Sequence, residues 1–418
     1  MGLLGKTLDK TRQFLALEKS LRTLLVTSVI MNLGSSLWGP LLGLYITNNL
    51  GVSLLMFGLM TTVRQLVSSL TIFPSGFLSD NFGRKKILMA SYLFSILALI
   101  TLFFVRDLPW LFLVSIFQGL TQALVGPSKS AYVAEVVSEE RRGVAYSTLA
   151  LFQSLSNVIA TSIAGVIASV FGFFWVFFFA LTLEAIALIV TAAYLKESLS
   201  RESVTRTPSM ESAFRQFKNG LIILKNPSLL AVLFAIVFHQ LGLGISMPYL
   251  TIYTQNVLGF SLPMISLMLG LQRLGIFIGH FPSGRLVDKF SGEISFAFHI
   301  FATSPAMILF TVTRNPFLAS FILFSWGLTF GLDNVSRQKL IPKYRSKAGI
   351  AMAFGVISLI AGIVSMISPT IGAWVWTNFS PQWVFYASAA INVLGSVPLF
   401  ILWLYQRKGN KGRPRSSK

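Results

Sequence analysis

The chain has 418 residues, of which 54% are hydrophobic and 11% charged, less than half the roughly 25% charge that dresses an ordinary soluble domain. Its 34 basic and 14 acidic residues leave a net charge of +20, but the bases stand between long apolar runs instead of forming one patch, which points to anionic lipid headgroups and away from nucleic acid. With no cysteine in the chain, disulfides, thiolate-bound zinc and cysteine nucleophiles are excluded.

A helix needs about 20 apolar residues to cross a hydrocarbon core. Twelve such runs are predicted, centred near Gly34, Leu66, Ile96, Gly119, Thr161 and Glu184, then Leu241, Arg273, Met307, Ser325, Met366 and Val393. They lack the ten-residue alternation of a transmembrane barrel. The predicted fold class is an all-α polytopic membrane protein with 12 transmembrane helices in two six-helix halves. Residues 1–197 and 228–405 are the halves, 198–227 a linker and 406–418 a basic tail. No signal peptide is expected, because the first apolar run can span by itself and no small-residue cleavage pattern follows it. Within the linker, Thr207-Pro208 can start a helix. Phe214, Phe217, Leu221 and Leu224 then recur at helical spacing, as in an amphipathic helix lying on a membrane face. Lys and Arg crowd the segments on one side of the spans, from Lys6–Arg22 through Arg84–Lys86 and Lys196–Lys225 to Arg407–Lys418. The opposite loops carry only Arg106 and Arg314. By the positive-inside rule both termini are expected in the cytoplasm of a multi-pass plasma-membrane protein.

The chain repeats itself at a shift of 208 residues. Gly34, Pro40, Tyr45, Asn48 and Gly51 fall on Gly242, Pro248, Tyr253, Asn256 and Gly259, and Phe73–Gly76 falls on Phe281–Gly284. Two parallel six-span repeats are a transporter architecture. At the end of the second span the chain reads Gly76-Phe77-Leu78-Ser79-Asp80-Asn81-Phe82-Gly83-Arg84-Lys85-Lys86. This resembles the loop motif between spans two and three of the major facilitator superfamily, with a weaker copy from Gly284 to Asp288 and Phe290. The resemblance runs on through Gln118-Gly119, Glu135, Arg142 and Gly143 and covers about residues 20 to 406. It implies an inner-face latch made of Gly76, Asp80, Gly83, Arg84, Glu135, Gly284 and Asp288. In it Gly76 admits a close helix, Asp80 faces the start of span eleven near Ala348-Gly349, and Arg84 pairs with Glu135. At the repeat shift Arg84 becomes Gly292 and Glu135 becomes Lys343, so the second copy is expected to lack the ion pair, leaving Asp288 to meet the helix start near Gly143. The chain departs from proton-driven drug exporters of the family at Ser115, where they often carry an arginine, and at Ser162–Gly165.

Ionisable groups deep in a membrane face a cavity or a partner. Counted back from the motif glycines, Arg64 lies ~18 Å and Arg273 ~16 Å from the span ends, near the midplane. Glu184 is the deepest acid, with an arginine as its expected structural partner. Lys129 is expected to snorkel, and Arg337 to snorkel or to pair with Asp333 at i,i+4. Trp38, Trp374 and Trp376 are candidate cavity liners or interfacial anchors. His239, His280 and His299 stand on three different spans with no acid at ligand spacing on the same helix, so no metal site is expected. No cofactor motif, P-loop or H-E-x-x-H is present.

These observations describe a secondary active transporter, not an enzyme, moving a small organic solute by alternating access as a monomer. Efflux of amphipathic compounds leads; exchange or symport of a small organic anion, or a non-transporting sensor or lipid-handling protein, are the alternatives. The coupling partner, a proton or an ion, is left open.

Overall fold

A computed structural model of the chain describes residues 19–105, 107–198, 221, 225–344 and 350–411. The proposed linker helix, apart from Leu221, and the Ala348-Gly349 partner of Asp80 lie outside these residues. Twelve helices among the described residues are long and apolar enough to cross a membrane. They are α1 (Lys19–Trp38, continued by short tight turns to Asn49), α2 (Leu54–Phe82), α3 (Arg84–Phe103), α4 (Leu108–Val136), α5 (Glu139–Val170) and α6 (Phe173–Tyr194). Then follow α7 (Pro227–Ser246, carried on to Asn256), α8 (Leu262–Phe290), α9 (Gly292–Val312), α10 (Pro316–Lys343), α11 (Ile350–Ser365, resumed as Ser368–Asn378) and α12 (Pro381–Lys411).

The starts of α7 and α10 carry the same device. Asn226 and Asn315 accept from the first free backbone N–H groups of their helices, and Pro227 and Pro316 occupy the next position, where a missing N–H costs nothing.

Chain compactness groups the residues into two units that cut across the sequence halves. The first unit holds residues 1–39, 67–160 and 171–208. Its core joins Leu21, Leu24 and Leu25 of α1 to Leu88 of α3, Tyr132 and Val133 of α4, and Leu149 of α5. Farther along α1, Met31 packs with Tyr92 and Ala187. Between α2 and α3 the backbone reverses at Gly83, with φ at 101°.

The second unit holds residues 40–66, 161–170 and 209–418. One core in it joins α7, α9, α10, α11 and α12 around Leu233, Ile236, Phe296, Ile300, Val356 and Leu399. Within it α8 and α10 touch through backbone: a Cβ at Gly275 or Gly279 would strike the carbonyls of Phe324 or Leu328, and one at Gly327 or Gly331 the carbonyls of Gln272 or Gly279. Paired small-xxx-small faces let helices approach where no hydrophobic effect drives them together. The unit also contains the Asn48 ends of α1, α2 and α5. Asn48 and Asn256 exchange hydrogen bonds, Nδ2 to Oδ1 in each direction, at 2.8 and 3.1 Å. They are repeat mates at the 208-residue shift. Thr62 bonds Thr370 at 2.8 Å, Gly58 packs on Tyr249, and Gly165 lies against the Leu262 carbonyl.

Ser291, the repeat mate of Gly83, is the one described non-glycine residue at positive φ, at 79°. A side chain in that region is strained. Ser291→Gly is therefore expected to raise stability by about 1 kcal/mol, read as a higher unfolding midpoint of the purified protein.

Candidate functional site

The Gly76–Lys86 segment is organised around Arg84 in the first unit. Its guanidinium donates from Nε and Nη2 to Glu135 Oε1 at 3.0 and 2.7 Å, and also pairs with Asp80 one turn earlier on α2. One planar fork thus ties the end of α2, the start of α3 and the end of α4, a task the point charge of lysine could not share in the same way. The second Glu135 oxygen accepts from Ser198 Oγ at 2.6 Å. Glu197 caps α3, accepting from the Arg84 backbone N–H at 2.9 Å, where the helix N-terminus favours an anion. A Cβ at Gly83 would collide with the Glu197 carboxylate, so this glycine is required by its dihedral and by its neighbour. Gly76 and Gly284 are open on the side where a Cβ would point. A Cβ at either would meet nothing within 4 Å, so no close helix is seated on them among the described residues.

The second copy departs further from its prediction. An ion pair is present, with its charges exchanged and its first member one residue along: Lys343 Nζ at the end of α10 donates to Glu293 Oε1 at the start of α9, at 2.5 Å. Tyr344 Oη donates to the same oxygen. Burial, and the carboxylate beside it, raise the Tyr344 hydroxyl pKa above its ordinary value. A comparison of like with like across the repeat passes over this pair, because base and acid have traded places. Asp288 accepts from Lys339 Nζ at 2.7 Å.

Among the described residues no arginine pairs with Glu184. Its Oε1 accepts from Trp38 Nε1 at 3.2 Å, and the side chain lies tight against Gly34. Both Glu184 and Trp38 are fully enclosed in the first unit: the Trp38 ring fills a packing position and its N–H answers a buried carboxyl. At the repeat shift Gly34 and Glu184 become Gly242 and Asn392, packed in the same way. Trp374 is exposed, edge-on to Phe379, whereas Trp376 lies against Tyr249 and Tyr253.

Arg64 and Arg273 belong to the second unit. Arg64 is half-buried with an unpartnered Nε; Arg273 is exposed on α8. Among the described residues neither forms an ion pair. By contrast Arg337 Nε donates to Asp333 Oδ1 at 2.5 Å and lies over the Phe296 ring, and Lys129 is half-buried. His280 bonds the Ile276 carbonyl at 2.6 Å. His239 and His299, on different spans, meet with their Nε2 atoms 3.3 Å from one another, close to Asp333. Their spans gave no sequence signal of this, since three helices contribute one residue each.

Twelve spans, a 208-residue repeat and an arginine-centred loop motif define a transporter scaffold. The family model of the Major Facilitator Superfamily matches residues 24–352 and 232–418. The chain belongs to that superfamily. It is 25% identical over 322 residues to the multi-drug resistance efflux pump PmrA of Streptococcus pneumoniae, covering 75% of this chain and 77% of that one. It is 25% identical over 366 residues to the multidrug resistance protein MdtG of Proteus mirabilis, covering 86% and 89%. In fold it is similar to the nucleoside transporter NupG, with a TM-score of 0.76 at 13% identity over 91% of this chain and 99% of that one.

Proposed function

We propose that the chain is a plasma-membrane exporter of amphipathic, drug-like compounds that works by alternating access, with both termini cytoplasmic and a proton or ion as its coupling partner. The similarity to multidrug efflux proteins carries the choice of substrate class. With the Asn48 loop outside, the bonds from Asn48 to Asn256 and from Thr62 to Thr370 close the outer side, the state in which an exporter loads from within. The motif around Arg84 would then act at the inner face.

The two basic groups at mid-depth, Arg64 and Arg273, favour compounds that carry an anionic group, because a cation without a counter-charge at that depth is costly until a ligand supplies one. The test is accumulation of fluorescent dyes and antibiotics in cells lacking their own exporters. Expression should lower accumulation across several unrelated compounds. Arg273→Gln should reduce export of anionic compounds about tenfold or more while neutral ones change little, and Arg273→Lys should fall between, since guanidinium grips a carboxylate with two parallel bonds. Unchanged accumulation of every compound, with the protein present in the membrane, would remove the export reading.

A further inference from the structure

We propose that His239 of α7, His299 of α9 and Asp333 of α10 form a binding site for a divalent transition-metal ion of the zinc class, inside the second unit. One ligand atom from each lies within 4.8 Å of the other two, and both imidazoles are almost completely buried.

The hydrogen bonds set the ring protons. Asn392 Nδ2 donates to the Ser388 carbonyl at 2.8 Å, which turns Asn392 Oδ1 towards His239 Nδ1 at 2.6 Å. An amide oxygen only accepts, so His239 carries its proton on Nδ1 and leaves Nε2 as a lone pair. His299 Nδ1 is 2.7 Å from Thr329 Oγ1, whose own proton goes to the Trp326 carbonyl at 2.7 Å. The threonine oxygen therefore accepts, and His299 Nε2 is a lone pair too. Two lone pairs face one another across 3.3 Å. That arrangement repels unless a cation lies between them. A tetrahedral centre with arms of 2.0–2.1 Å sets its ligands about 3.3–3.4 Å apart. The imidazoles already have this spacing, and Asn392 and Thr329 hold the other ring nitrogens as outer partners of metal-bound histidines do. Asp333 supplies the charge. It is partly exposed and paired with Arg337, giving an approach to a pair of rings that are otherwise closed off, and its carboxylate lies within 4.8 Å of both ring nitrogens. Two imidazoles and one carboxylate leave a fourth position for water or another donor.

The repeat supplies an internal control. Met31, Ser91 and Val125 stand where the second half has His239, His299 and Asp333. In the first unit Met31 belongs to an ordinary apolar cluster against which Val125 packs, and Thr121, the mate of Thr329, simply bonds the Ser91 carbonyl at 3.2 Å. The helical bundle packs at these positions without imidazole or carboxylate, so packing alone does not call for them in the second half.

The test uses the purified full chain in detergent, stripped with a chelator and titrated with cobalt(II). Visible absorption of four-coordinate cobalt should appear at one equivalent and vanish when zinc is added, and zinc should raise the unfolding midpoint. His299→Gln and Asp333→Asn should each weaken cobalt binding at least tenfold. Arg337→Gln, which removes the neighbouring positive charge, should tighten it, an outcome that loss of folding could not imitate. Should the single variants fold poorly, the pair His239→Met with His299→Ser copies the first half and should fold without binding cobalt. Folded wild-type protein giving neither the cobalt spectrum nor a zinc-dependent shift would overturn the proposal and leave a plain hydrogen bond between the two rings.

Discussion

Lys343→Met is expected to destabilise the folded chain by roughly 2–4 kcal/mol, and adding Glu293→Gln to recover most of that loss. The Glu293 side chain is 1% exposed, whereas Lys343 is 43% exposed. Removing the lysine strands a buried carboxylate whose Oε2 already has no hydrogen-bond partner, and leaves Tyr344 as its remaining donor. A stranded buried charge costs about 3–5 kcal/mol, and the solvent access of Lys343 places the expected loss towards the lower end. The double variant removes the stranded charge together with its partner, so the cycle should be strongly non-additive. Denaturant or thermal unfolding of the four proteins gives the coupling directly. Additive losses would mean that the exchanged pair contributes nothing of its own.

Gly279→Leu is expected to prevent recovery of folded protein. At this crossing α8 meets α10 backbone to backbone, with the Leu328 carbonyl where a Cβ would go and Gly331 seated on the Gly279 carbonyl in return. Overpacking a tight contact costs about 1–3 kcal/mol even where side chains can yield, and here the obstacle is main chain, so the helices must part. Gly279→Ala should already lower the unfolding midpoint. Gly355→Ala on α11, where an added Cβ meets nothing within 4 Å, should leave it unchanged or raise it slightly. Equal behaviour of the two alanine variants would show that the α8–α10 crossing is looser than its geometry states.

The membrane architecture was legible because it rests on features that sequence carries locally: runs of apolar residues, their number, and a repeat whose spacing survives in glycines and prolines. The Arg84–Glu135 pair was legible through resemblance, since its two residues sit in a motif. Glu184 misled because depth identifies a costly acid but not its partner, and an indole N–H from Trp38 answered it where an arginine was expected. The Glu293–Lys343 pair was hidden by the exchange of its charges and by its one-residue offset from the repeat. The meeting of His239, His299 and Asp333 has no linear trace, because three helices contribute one residue each and only their packing brings them together.

Alternating opening of two faces is the transport mechanism proposed for this chain. Asn48 and Asn256, repeat mates that bond each other, are the place to test it, and the absence of cysteine means that two introduced thiols will be the only ones. With Asn48→Cys and Asn256→Cys joined by a short thiol-specific cross-linker, the Asn48 side cannot open. Cross-linking is expected to stop dye export in vesicles, each single variant treated alike to stay active, and cleavage of the linker to restore transport. Full export by the cross-linked protein would contradict it.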